Sequence, residues 1–174
     1  MKILEFEKID STQKKAKELA QKEKAPWLVV LAKEQTKGRG RKGNIWYSPK
    51  GGLYFSVILP QIDIDNLQIL TFLASFVVAK TIKENFKLEP FIKLPNDVYL
   101  KGKKVAGILT ENLICNKKVK ISIMGIGVNT NLDKFPKELK EKATSLKIEL
   151  GKEVDNQKIL REILKGLQEI FQKD

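Results

Sequence analysis

Residues 104–128 read KVAGILTENLICNKKVKISIMGIGV, and this stretch decides the fold. Lys104 to Leu113 and Val119 to Val128 are rich in β-forming residues, and the polar trio Asn116-Lys117-Lys118 between them suits a hairpin turn. Two shorter β-type runs, Phe91 to Leu94 and Val98 to Leu100, precede this pair. Further upstream, Asn66 to Phe86 sets Leu67, Leu70, Leu73, Ala74, Val77 and Val78 at helical spacing, which predicts a buried helix. Gly52 to Leu59 is a strand ended by Pro60, and Trp27 to Ala32 is an apolar strand. A short strand from Ile3 to Lys8 comes first, followed by a helix opened by Asp10-Ser11-Thr12 with Ser11 as its N-cap. At the other end, Asn156 to Phe171 carries Ile159, Ile163, Leu164, Leu167, Ile170 and Phe171 on one amphipathic face. Adjacent strands mixed with long helices predict an α+β fold over residues 1–174. Its expected form is a mixed or antiparallel central sheet with helices packed on one face.

Composition narrows the chemistry. The 174 residues carry 33 Lys+Arg against 21 Asp+Glu, a net charge of +12. That excess raises the question of a polyanionic partner. Only Arg39, Arg41 and Arg161 are arginines, however, and base readout favours the planar guanidinium fork, so a nucleic-acid role is disfavoured. There is no histidine, which excludes imidazole general bases, Ser-His-Asp triads and His-containing metal sites. Cys115, the single cysteine, reads as an inert thiol in a reducing compartment. The apolar stretch Leu67 to Ala79 is shorter than the roughly 20 residues that span a bilayer, and Met1 to Glu7 is too charged for a signal peptide. A cytoplasmic protein with no membrane partner is expected.

Three segments carry candidate chemistry. Gln35 to Gly43 contains Gly38, Gly40 and Gly43 with Arg39 and Arg41 between them, so backbone NH groups and guanidinium forks can converge on an anion. It lacks the Gly-Lys-Ser/Thr ending of a phosphate-binding P-loop. Trp46 follows as a stacking face. In Lys93-Leu94-Pro95-Asn96-Asp97, Asn96 and Asp97 fit either turn chemistry or contacts to a substrate and Mg²⁺. Lys104 opens an apolar strand, where its ammonium can face developing negative charge. Gly107 inside that strand suggests close approach to the backbone. Gly125-Ile126-Gly127-Val128-Asn129-Thr130-Asn131 ends another strand with glycines and amides.

Taken together and in order, these motifs resemble the catalytic domain of the biotin protein ligases. Asp10-Ser11-Thr12, Gly38 to Pro49, Gly52 to Ser56, Lys93 to Val98, Lys103 to Glu111, Gly125 to Asn131 and Ala143-Thr144-Ser145-Leu146 carry the likeness, over roughly residues 5 to 170. The resemblance implies the related class II aminoacyl-tRNA synthetase-like fold and a biotin–[acetyl-CoA-carboxylase] ligase activity. Biotin and ATP, with Mg²⁺, would give biotinyl-5′-AMP, and the biotinyl group would pass to a lysine of a biotin carboxyl carrier domain. Carried over by position, Ser11, Thr12, Gln35, Gly38, Arg39, Lys104 and Gly107 would line the biotin end. Arg41, Trp46, Lys93, Asn96, Asp97 and Asn129 would serve the nucleotide, with Mg²⁺ near Asp97 rather than in a preformed metal site. Lys104 and Arg41 are the expected catalytic pair.

Leu94 stands where the family usually has Trp. Neither the N-terminal helix-turn-helix nor the C-terminal SH3-like barrel of many members is expected here, and so no DNA binding; a homodimer fits the family. The competing readings are a lipoate-type ligase or acyltransferase of the related fold and a basic nucleic-acid-binding module.

Overall fold

The computed structural model describes residues 1–22 and 25–171. Seven strands form a single sheet. They are β1 (Lys2–Phe6), β2 (Leu28–Ala32), β3 (Leu53–Ile58), β4 (Phe91–Lys93), β5 (Asp97–Leu100), β6 (Lys103–Cys115) and β7 (Lys118–Val128). Their order across the sheet is β1-β2-β3-β7-β6-β5-β4. Only β1 and β2 pair in parallel, and the other five neighbours are antiparallel. The parallel step follows from its connection, because a crossover helix, α1 (Thr12–Lys22), lies between the two strands. The β6–β7 hairpin turns on Asn116 and Lys117, with Cys115 opposite Lys118. Both turn residues have positive φ, 50° and 58°, the signature of a type I′ turn whose twist suits a hairpin.

The α+β class holds, with its mixed sheet, but the helices are not confined to one face. Val29 and Leu31 of β2 join the large core formed with α2 (Leu67–Phe86) and α4 (Asn156–Phe171). Leu28 and Val30, on the opposite face, pack on Ala16 and Ala20 of α1. Every residue of β2 and β3 is buried, as covering on both faces requires. Among the described residues, no helix is long and apolar enough to cross a membrane.

A short helix that sequence periodicity does not reveal, α3 (Leu146–Leu150), is started by Ser145, whose Oγ accepts from the Ile148 N–H. The segment before it runs beside β6. The Lys104 N–H donates to Lys142 O, and the Thr144 N–H donates to Lys104 O. Asn129 Nδ2 donates to Thr144 O at 3.0 Å. The N–H and the carbonyl of Lys104 are therefore both held by this one segment, at the point where β6 enters the core.

Candidate active site

Glycines clear the floor of the site. Gly107 of β6 lies opposite Gly127 of β7, and Leu109 lies opposite Gly125. A Cβ on Gly127 would collide with Trp46 Nε1, and one on Gly107 would stand 3.0 Å from the Trp46 ring and 3.2 Å from Lys104 Nζ. The Trp46 indole thus lies flat on bare backbone. It reaches there because Gln35 to Ser48 folds back on itself, the Trp46 N–H donating to Gly38 O at 2.9 Å. Gly38 is obligatory in that fold-back, since a Cβ would strike the Trp46 carbonyl oxygen and Ser48 Oγ.

Two cavities meet at this indole. The first is lined by Ser11, Thr12, Gln13, Gln35 and Ser56 at its polar end, and by Arg39, Arg41, Asn96, Lys104 and the three glycines elsewhere. The second, about 280 Å³, lies between Tyr99, Asn129, Phe135, Leu139, Lys142 and Ala143, with Asp97 at its edge. Trp46 and Lys104 line both. The first cavity measures about 50 Å³, below the roughly 300 Å³ of an ordinary small-molecule pocket. With Trp46 on the glycine floor, the first cavity is smaller than a ligand of several rings.

Charge is concentrated at the dividing wall. Lys104 Nζ is 2.7 Å from Asp97 Oδ1 and 5.1 Å from the Trp46 ring centroid. The same Asp97 oxygen accepts from Asn96 Nδ2 at 2.8 Å, and Asn96 Oδ1 accepts from Arg41 Nη1 at 2.8 Å. Arg41, Asn96, Asp97 and Lys104 therefore form one chain along the wall, with cations at both ends. Trp46 Nε1 is the one buried side-chain polar atom without a hydrogen-bond partner among the described residues. An orphaned buried donor costs free energy, and here it lies against the bare backbone of Gly127.

Most residues singled out from the sequence converge. Ser11, Thr12, Gln35, Arg39, Arg41, Trp46, Asn96, Lys104 and Gly107 line the first cavity, and Asp97 and Asn129 reach the second. Gly38 shapes the loop without lining either. Lys93 lines neither cavity; it is exposed, with its ammonium 5.4 Å from the Tyr99 ring centroid. Asn129 is 3% exposed and its amide nitrogen is engaged by the Thr144 carbonyl. Sequence reasoning missed Gln13 and Ser56. Ser56 was visible as a hydroxyl inside the apolar run of β3. Gln13 had no such signal beyond its place after Thr12. Tyr99, Phe135 and Leu139 come from segments with no motif.

The mixed seven-stranded sheet with its glycine floor superposes on solved biotin protein ligases, and that sets the class of fold. The model of the "Biotin/lipoate A/B protein ligase family" matches residues 5–129, and the chain belongs to that family. The bifunctional ligase/repressor BirA of Bacillus spizizenii is 41% identical over 160 residues, 90% of this chain and 49% of that protein. The chain thus spans about half the length of the curated relatives it matches first. Among solved structures, the biotin protein ligase of Aquifex aeolicus in complex with biotin and ATP superposes with a TM-score of 0.85 at 35% identity, covering 99% of this chain and 71% of that one. The Leishmania major biotin protein ligase with biotinyl-5-AMP gives 0.81 at 25% identity, with 97% and 74% covered.

Proposed function

We propose that the chain is an ATP-dependent biotin–protein ligase working in the cytoplasm. It activates biotin to biotinyl-5′-AMP and then transfers the biotinyl group to a lysine of a biotin carboxyl carrier domain. The observation that carries the reading is that Lys104 and Trp46 line both cavities. Biotin fills the first, with its head group at Thr12 and Gln35, and the nucleotide fills the second. The carboxylate and the α-phosphate then meet at the Lys104 ammonium. Relatives that bind biotin with ATP, or biotinyl-5-AMP, support the same assignment.

The first half-reaction forms a bond between a carboxylate oxygen and the α-phosphorus while the bond to pyrophosphate breaks. Two anions must approach, so the chief demand is charge shielding and alignment, not proton transfer. Lys104 and Arg41 answer that demand, and the absence of histidine costs the mechanism nothing. Mg²⁺, a hard cation that binds oxygen and keeps several waters, would shield the phosphates. Asp97 is the carboxylate on the wall that would hold it, and no three His, Cys, Asp or Glu converge among the described residues. In the second half-reaction the acceptor lysine, as the neutral amine, attacks the acyl carbon, AMP leaves with the bonding electron pair, and the nitrogen releases a proton to solvent. Trp46 and its loop keep water from the mixed anhydride until then.

Biotin-dependent exchange of labelled pyrophosphate into ATP tests the proposal. Exchange should appear with biotin and not with lipoate. No exchange at any biotin concentration sinks the activity, and exchange supported by lipoate alone reassigns the carboxylate.

A further inference from the structure

A line of hydrogen bonds runs out of the first cavity into the loop that covers it. Ser56 Oγ, on β3, donates to Thr12 Oγ1 at 2.9 Å. Gln35 Oε1 accepts from the Thr12 N–H at 2.8 Å and from Thr12 Oγ1 at 3.1 Å. Gln35 Nε2 donates to Ser48 Oγ at 2.9 Å, and Ser48 Oγ donates to the Trp46 carbonyl oxygen at 2.9 Å. Ser48 is 4% exposed and lines neither cavity. It lies behind the site, at the joint between the side chain that reads the head group and the residue that divides the cavities.

A carboxamide has an acceptor end and two N–H donors. Thr12 fixes the acceptor end of Gln35, and Ser48 takes one N–H, which leaves the second N–H for a ligand. Without the Ser48 hydroxyl, one partner that distinguishes the two ends of the amide is gone. The Trp46 carbonyl then also loses its side-chain donor. We propose that Ser48 is a positioning residue that fixes the Gln35 amide with an N–H toward the cavity and ties that amide to Trp46. Recognition of the ligand's carbonyl-bearing head group and closure of the Trp46 loop are then one event. The inference rests on the first cavity being the biotin site.

Ser48→Ala and Ser48→Thr in the full chain test it, by pyrophosphate exchange and by retention of labelled adenylate. Losing one neutral hydrogen bond corresponds to about a fivefold change, and each readout depends on one of the two: the biotin KM on the bond from Gln35, adenylate retention on the bond to the Trp46 carbonyl. Ser48→Ala should raise the KM for biotin by about that factor, leave the KM for ATP within twofold, and release adenylate faster by a similar factor. Ser48→Thr, which keeps the hydroxyl, should restore both. Circular dichroism and the thermal midpoint separate this from misfolding, which would lower kcat without splitting the two KM values. A biotin KM or an adenylate retention equal to the parent's in Ser48→Ala overturns the inference, as does failure of Ser48→Thr to restore them in a folded protein. If the parent itself shows no biotin-dependent exchange, the ligase reading fails and this inference falls with it.

Discussion

Replacing Lys104 with Ala is the sharpest test of how the site works. Its ammonium lies on the wall shared by the two cavities, 2.7 Å from Asp97 Oδ1 and about a quarter exposed. A phosphate oxygen about 4 Å from that ammonium, at the effective dielectric near 20 that suits such sites, interacts with it by about 4 kcal/mol. Removing a fixed donor from developing charge in other enzymes slows turnover by about 10²–10³, or about 2.7–4 kcal/mol. The two figures agree, so Lys104→Ala should lower the kcat for exchange by about 10²–10³. The fold should survive. The main chain of residue 104 keeps its bonds to Lys142 and Thr144, and Asp97 keeps the Asn96 amide. Losing a partly exposed ion pair costs about 0–1 kcal/mol. Lys104→Arg should recover little, because a planar fork presents its donors in a different geometry. The assay is exchange at saturating biotin and ATP, with a urea unfolding curve alongside. Exchange within threefold of the parent, in a folded Lys104→Ala protein, would refute the assignment of Lys104 as the group that shields the reacting anions.

Gly127→Ala should displace Trp46, because the new Cβ meets its indole nitrogen. With Trp27→Phe removing the other tryptophan, the emission of Trp46 should shift to the red and adenylate should leak; an unshifted spectrum contradicts the packing. Gly166→Ala places a Cβ 2.7 Å from Val77 Cγ1, in the contact between α2 and α4. Overpacking costs about 1–3 kcal/mol, against about 1 kcal/mol gained in helix propensity, so the thermal midpoint should fall, and a rise would show that the helices separate easily. Glu149 has a 9% exposed side chain. Burial raises its pKa, but the Thr144 hydroxyl and the Lys101 ammonium outweigh that and hold it below its usual 4.5. A depressed folded pKa gives stability that is present above about 4.5 and lost as pH falls through the folded value. Glu149→Gln should therefore flatten the acid limb of stability against pH below 4.5, measured by urea midpoints, and an unchanged limb would refute the coupling.

The helix and strand pattern was legible because each element has a strong local period. The α4 span Asn156–Phe171 follows from its apolar face, and the β6–β7 hairpin follows from two β-forming runs around a polar turn. The placement of α1 was misread even though its signal was present. Leu28 to Ala32 carries no polar residue, and a strand with no polar alternation needs cover on both faces. At the candidate site, the residues with chemistry of their own that the sequence singles out converge on the cavities: Arg41, Asn96, Asp97 and Lys104. The apolar walls Tyr99, Phe135 and Leu139 were not, because their role comes from long-range packing that leaves no trace in local spacing. Lys93 is close in sequence to Asn96 and Asp97, yet it lines neither cavity and its ammonium stands 5.4 Å from the Tyr99 ring centroid.

Gly107, Gly125 and Gly127 explain why so short a set of side chains suffices. A glycine inside a strand costs roughly 0.5–1 kcal/mol relative to a residue with a side chain, and these two strands contribute three of them at neighbouring positions. The loss is offset by room. At Gly125 a Cβ would come within 2.6 Å of Gln13 Oε1, and at Gly107 it would crowd both Trp46 and Lys104. The floor is therefore bare where the polar end, the dividing indole and the cation must all reach it. An enzyme that worked by proton transfer would need a titrating base set at hydrogen-bond distance from its substrate. One that brings two anions together needs instead an open floor with fixed positive charge above it. The combination of three stacked glycines, Arg41, Lys104 and no histidine meets the second requirement and cannot meet the first through imidazole.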